Sequence, residues 1–166
     1  MYTIIEDFIK DWQQESEFTL KVFDMIPDDK KSQKVHDHVR TLDRLAWHIT
    51  QTLTEMPYRA HIMEKDYLDQ KPIPESMKEI SDIYKKHSEE LTRLIKDKWK
   101  DANLVEIIEV YSQKWQRTKI LSVLINHQIH HRAQMTVIMR LLELKVPGLY
   151  GPAKEEWSNY GMEAQE

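Results

Sequence analysis

The chain of 166 residues contains no cysteine. That excludes a disulfide scaffold, a thiolate nucleophile and any cysteine-ligated zinc or iron–sulfur centre. Glycine is scarce too, at 3 residues, too few for a loop-rich or many-turned β fold. There is no excess of basic charge: 24 Lys and Arg stand against 28 Asp and Glu, a formal net charge of −4. Such a chain offers no general attraction for a phosphate backbone, and no nucleic-acid partner is expected. Long apolar runs are missing as well. None approaches the roughly 18 residues a membrane span requires, so no membrane partner is expected. The segment Met1-Tyr2-Thr3-Ile4-Ile5-Glu6-Asp7 has neither the basic region nor the apolar stretch of a signal peptide. A cytoplasmic location is the expectation, and the lack of cysteine is compatible with it.

What the chain does contain favours helix. Lys, Glu, Leu, Gln and Met are plentiful, and 40% apolar with 31% charged residues suits a globular protein with a well-charged surface. The length fits one domain spanning 1–166. Helical steps run through Ile5, Phe8, Trp12, Thr19, Val22 and Ile26, predicting a first helix over 4–26 that Pro27 stops. Leu42, Ala46, Ile49, Leu53 and Met56 predict a second over 37–55, closed by Pro57. Its other line, Thr41, Leu45, His48 and Thr52, is more polar, as befits a shoulder bordering a cavity. Periodicity fades over 57–74, a long crossover between helices two and three. Met77, Ile80, Tyr84, His87, Leu91 and Leu94 then carry a third helix from Pro74 to about Trp99. The β-branched run over 104–111 reads equally as strand or loop. Thr118 is the expected N-cap of a fourth helix that Pro147-Gly148 terminates. The expected fold class is all-α, a four-helix bundle with one long crossover.

The fourth helix carries the chemistry. His127 and His131 are four residues apart, about one turn, so both rings leave one face. They share a line with Ile120, Leu124, Gln134, Ile138 and Leu141, which places them in the seam where hydrophobes belong. Two adjacent buried imidazoles need partners, and one shared metal ion satisfies both. A catalytic first-row metal usually wants a third protein ligand. The candidates are His48, on the polar shoulder of helix two, and His87, nearer the centre of the third stripe. Periodicity slightly prefers His87 as the more buried. His130 points away from the seam; His36, His38 and His61 read as solvated.

Three other chemistries fall away. A zincin needs Glu directly after the first histidine of its motif, and Gln128 stands there. Di-iron bundles need Glu-x-x-His pairs, and no Glu lies three residues before any histidine. No G-x-S-x-G elbow supports a serine hydrolase.

The stretch Asn126-His127-Gln128-Ile129-His130-His131-Arg132-Ala133-Gln134 resembles the Asn-His-Glu-x-His-His-Arg-Gly-Gln signature of the DinB/YfiT-like family. Leu45-Ala46-Trp47-His48-Ile49 is similar to that family's first histidine segment, and Val146-Pro147-Gly148-Leu149-Tyr150-Gly151-Pro152 to the exit from its last long helix. The resemblance implies a four-helix bundle that binds one divalent transition metal (Zn, Ni, Fe or Mn) through His48, His127 and His131. It implies a metal-dependent hydrolase or a transferase using a low-molecular-weight thiol as co-substrate, acting on a small molecule. Gln128 and Ala133 replace the usual Glu and Gly. Gln134 is the candidate for a supporting role at the metal, whereas Arg132 is expected in a surface salt bridge. The alternative is a non-enzymatic, metal-stabilised structural or stress-associated interaction protein, with Trp47 and the aromatic tail as partner surfaces. A homodimer is the default assembly.

Overall fold

Four helices form where the apolar stripes predict them: α1 (Ile5–Asp24), α2 (Leu42–Arg59), α3 (Met77–Lys98) and α4 (Arg117–Leu141). The structure is a computed structural model that describes residues 1–164. Around the bundle, α1 and α2 each pack against both α3 and α4. Phe8, Trp12, Phe23, Ile49, Leu53 and Tyr84 are among the side chains sealed in the core.

Contacts at the helix ends set the directions. Ile5 N donates to Asp101 Oδ1, just past α3, at 2.8 Å, and Met77 N donates to Asp28 Oδ1, just past α1, also at 2.8 Å. Hence α1 and α3 are antiparallel. Thr118 Oγ1 donates to Tyr2 O, so α4 runs parallel to α1. Lys98 Nζ, at the end of α3, donates to Ile62 O, just past α2, at 2.7 Å, so α2 and α3 are parallel. Two parallel neighbours can be joined only by a segment that travels the whole helix, roughly 27 Å for the 18 residues of α2. Residues 60–76 do this, and the expected crossover is borne out. The segment retraces α2 and is pinned to it by side chains. Thr54 Oγ1 donates to Asp66, Gln51 Nε2 to Leu68 O, and Trp47 Nε1 to Lys71 O.

Several boundaries differ from expectation. The second helix starts at Leu42 instead of Asp37, and it continues past Pro57 to Arg59. A proline in the last turn loses one amide donor but keeps its carbonyl, which accepts from Ile62 N and Met63 N. The third helix begins at Met77, where Ser76 and Glu79 make a reciprocal capping box. The segment 104–111 contains strand β1 (Ile107–Val110), paired antiparallel with β2 (Gln113–Gln116) through a two-residue turn. Tyr111 and Ser112 both take positive φ, 53° and 58°, which a two-residue hairpin of this hand demands. Because β2 leads straight into α4, the N-cap is Gln116, not Thr118. Helix α4 ends at Leu141, well before Pro147-Gly148. Glu143 takes φ 61°, and Leu144 N and Glu143 N close back onto Met139 O and Arg140 O, a left-handed cap that needs no glycine.

The seam of α4 is also rotated from the expected line. Gln134 and Leu141 are exposed, the latter at 64%, while Gln128 and Arg132 are sealed at 0% and 1%. The centre of the buried face therefore runs through Leu121, Leu124, Gln128, Arg132, Met135 and Met139. The two histidines lie at its flank, toward α2. Trp47, expected as a partner surface, is 1% exposed and packs under the crossover.

Candidate metal centre

Rotation of the seam places His127 and His131 where α4 meets α2, and the antiparallel neighbour brings His48 opposite them. The ring centroids are 4.5 Å apart for His127–His131, 4.7 Å for His48–His131 and 5.0 Å for His48–His127. One ring nitrogen from each lies within 4.8 Å of the others. Leu45 and Ile49, both buried, hold this part of α2 against the bundle. His87 is not brought there. It stacks on Tyr67 from the crossover and its Nδ1 meets Glu90 at 3.1 Å, which satisfies it as a core residue.

The cluster is built to stay neutral. Burial pushes His48 and His127 down from the usual 6.5 to about 4, and neighbouring imidazoles and Arg40 add to the effect. His131 is lowered by burial, against the opposing hydrogen bond to Gln134 and with the help of His130 and Arg40. Three imidazoles with free lone pairs at neutral pH are a donor set for a first-row metal. Gln134 Oε1 lies 2.7 Å from His131 Nδ1. It accepts if that nitrogen carries the proton, which leaves Nε2 as the lone pair. The Gln134 amide nitrogen in turn lies 3.2 Å from exposed His130 Nε2. His127 Nδ1 is buried without a hydrogen-bond partner among the described residues. An orphaned polar nitrogen beside two other imidazoles fits a site meant to be completed by an ion.

Depressed histidine pKa values tie stability to pH. A folded pKa below the unfolded one means the unfolded chain binds more protons between 6.5 and about 4. The stabilisation is complete above 6.5 and is lost as pH falls toward 4. Metal-free protein should melt at progressively lower temperature across that window. His127→Ala should flatten the slope; an unchanged slope in that variant would mean that the imidazole is not held neutral.

Residues missed by local rules lie behind the cluster. Arg132, expected at the surface, pairs with Glu15 of α1, which is 5% exposed. Its other terminal nitrogen donates to Glu15 O at 3.0 Å and to Thr19 Oγ1 at 3.2 Å. Tyr150 caps the pair from the tail, its hydroxyl donating to the Glu15 carboxylate while its ring meets Phe18 edge-on at 5.2 Å. Gln128 Oε1 accepts from Tyr84 OH at 3.0 Å, so the residue in the zincin base position faces the interior of the bundle. The signal available in sequence was position: Gln128 and Arg132 follow Leu121 and Leu124 and precede Met135 at helical steps.

Beside the cluster opens a groove of about 800 Å³. Its walls are α4 beyond His131, Leu45 of α2, and the 25–41 connection that carries Val39 and Arg40.

A helical bundle of this connectivity, with three histidines gathered from its second and last helices, defines a class of fold and site. The chain belongs to the DinB family, whose model matches residues 1–166. It is 35% identical over 164 residues to the Bacillus subtilis (strain 168) protein YrdA, covering 99% of this chain and 98% of that one. A DinB-like protein from Bacillus cereus ATCC 10987, solved by crystallography, is 36% identical; the match covers 90% of this chain and 100% of that one, with a TM-score of 0.80. The Bacillus subtilis DinB-like protein YjoA, at 15% identity and a TM-score of 0.70 over 88% of this chain and 99% of that one, shares the fold. No helix among the described residues is long and apolar enough to cross a membrane.

Proposed function

We propose that the protein is a metal-dependent enzyme that holds one divalent transition metal on His48, His127 and His131 and acts on a small molecule. The carrying observation is the gathering of three neutral imidazoles at the mouth of an open groove. Three protein ligands leave coordination positions for water or substrate, whereas structural sites close with a fourth. Among the described residues no Asp, Glu or further His joins the group, which weighs against the structural alternative.

A divalent ion held there supplies Lewis acidity, making a water or a small thiol acidic enough to serve as nucleophile near neutral pH. The chain's own residues do the rest. Burial keeps His48 and His127 deprotonated, Gln134 orients His131, and the groove beside them has room for an organic substrate. Hydrolysis and thiol transfer share this beginning and differ in which nucleophile the groove admits.

Protein purified without a histidine tag should carry about one metal equivalent. After chelation, adding Zn²⁺, Ni²⁺, Fe²⁺ or Mn²⁺ at 100 times its Kd should stabilise it by about 2.7 kcal/mol, or roughly 5–11 °C. No ion on elemental analysis and no thermal shift with any of the four would sink the proposal.

A further inference from the structure

We propose that the groove beside the histidines binds a small amphipathic anion, Arg40 holding its negative group while Val39, Leu45, Val137 and Leu141 hold its apolar body. This deepens the small-molecule reading and rests on it for the reaction, though not for the binding itself.

Charge is the first support. The chain is acidic overall, yet among the described residues no Asp or Glu lines this groove, and its one permanently charged residue is Arg40. Among the described residues Arg40 has no ion-pair partner, although most other arginines do: Arg59, Arg93, Arg117, Arg132 and Arg140 are each paired. Its position is the second support. Arg40 shares the groove with His131 and Gln134. An anion held by Arg40 therefore sits beside the cluster.

The apolar wall is the third. Gln134, Val137 and Leu141 follow at three- and four-residue steps, one line leading away from His131. Val137 and Leu141 are 60% and 64% exposed, and Val39 faces them from the connection at 38%. Open hydrophobes at the mouth of a polar cluster mark a surface meant to be covered. The volume falls within the range of small-ligand pockets. Apolar wall and single cation together fit a compact anion with a hydrocarbon or aromatic body.

The test uses the full chain after chelation, so that no metal can hold the anion. The probes are 4-phenylbutyrate and its neutral counterpart 4-phenylbutan-1-ol, titrated by calorimetry. The carboxylate should bind at least about 10-fold tighter, as expected for one hydrogen-bonded charge. Arg40→Gln should reduce that ratio to within about 2-fold and leave the alcohol's affinity unchanged. Arg40 is exposed, so the variant should melt with the wild type. Leu141→Asp should weaken both probes. Equal affinities in the wild type, a ratio retained in Arg40→Gln, or no binding of either probe would overturn the proposal. So would sedimentation showing a dimer that Leu141→Asp dissolves, because the wall would then be covered by a second copy. A protein that fails to bind metal leaves these outcomes untouched, so the two readings fail separately.

Discussion

Arg132→Ala should cost about 3–5 kcal/mol in unfolding free energy, measured by urea denaturation, the range for breaking one partner out of a buried ion pair. The magnitude follows from what remains. Glu15 is 5% exposed, and without the guanidinium its carboxylate keeps, among the described residues, only the Tyr150 hydroxyl as a side-chain donor. Glu15 O and Thr19 Oγ1 lose a shared donor as well. Packing alone cannot account for such a loss, and Arg132→Met separates the two contributions because it retains an apolar stem of similar reach. It should cost nearly as much as the alanine. The double variant Glu15→Gln with Arg132→Met, which removes both charges, should recover most of the difference. A cost below about 1 kcal/mol for Arg132→Ala would show that water reaches Glu15 and that the pair behaves as a surface bridge.

That pair also marks where reading the sequence stopped. The stripes of the first three helices were legible because each has one apolar face. Ile5, Phe8, Trp12, Thr19 and Val22 are all buried in α1, with Ile26 buried just past its end, as are Leu42, Ala46, Ile49, Leu53 and Met56 in α2. Helix α4 has apolar residues around more of its circumference, Val137 and Leu141 among the exposed ones. Periodicity alone could not choose its face. The true centre of that face is occupied by Gln128 and Arg132, residue types that local rules send to solvent. Only tertiary partners, Tyr84 and Glu15, make them interior. The hairpin was hidden for a similar reason: Tyr111-Ser112 adopts left-handed backbone without the Asn or Gly that normally announces it.

The site divides along the same line. That His127 and His131 share a face follows from their spacing. That His48 meets them depends on α2 lying antiparallel beside α4, a fact of topology that only the family resemblance could supply in advance. His87 satisfied the periodic criterion better, and the structure places it against Tyr67 and Glu90. Burial on a stripe identifies an interior residue but not which neighbour it faces.

His48→Ala should lower metal affinity by at least about 100-fold, more than the roughly 10–100-fold lost with an outer hydrogen-bonding partner. The melting temperature of the metal-free protein should change little. The two halves of this expectation have separate causes. Affinity collapses because two imidazoles on one helix cannot enclose an ion that also needs a donor from α2. Stability persists because the sealed core, with Trp12, Phe23, Leu53, Ile80 and Tyr84, owes nothing to the cluster, which sits at the α2–α4 flank. His48 itself is only half-buried. The metal-loaded wild type should therefore exceed both the chelated wild type and metal-treated His48→Ala by the same linkage increment, and the last two should melt together. Turnover, once a substrate of the groove is found, should vanish in the variant. A metal that serves structure would behave otherwise: chelation would unfold the bundle outright, and His48→Ala would not accumulate as folded protein. Calorimetry of the two proteins with and without chelator distinguishes these cases before any substrate is known.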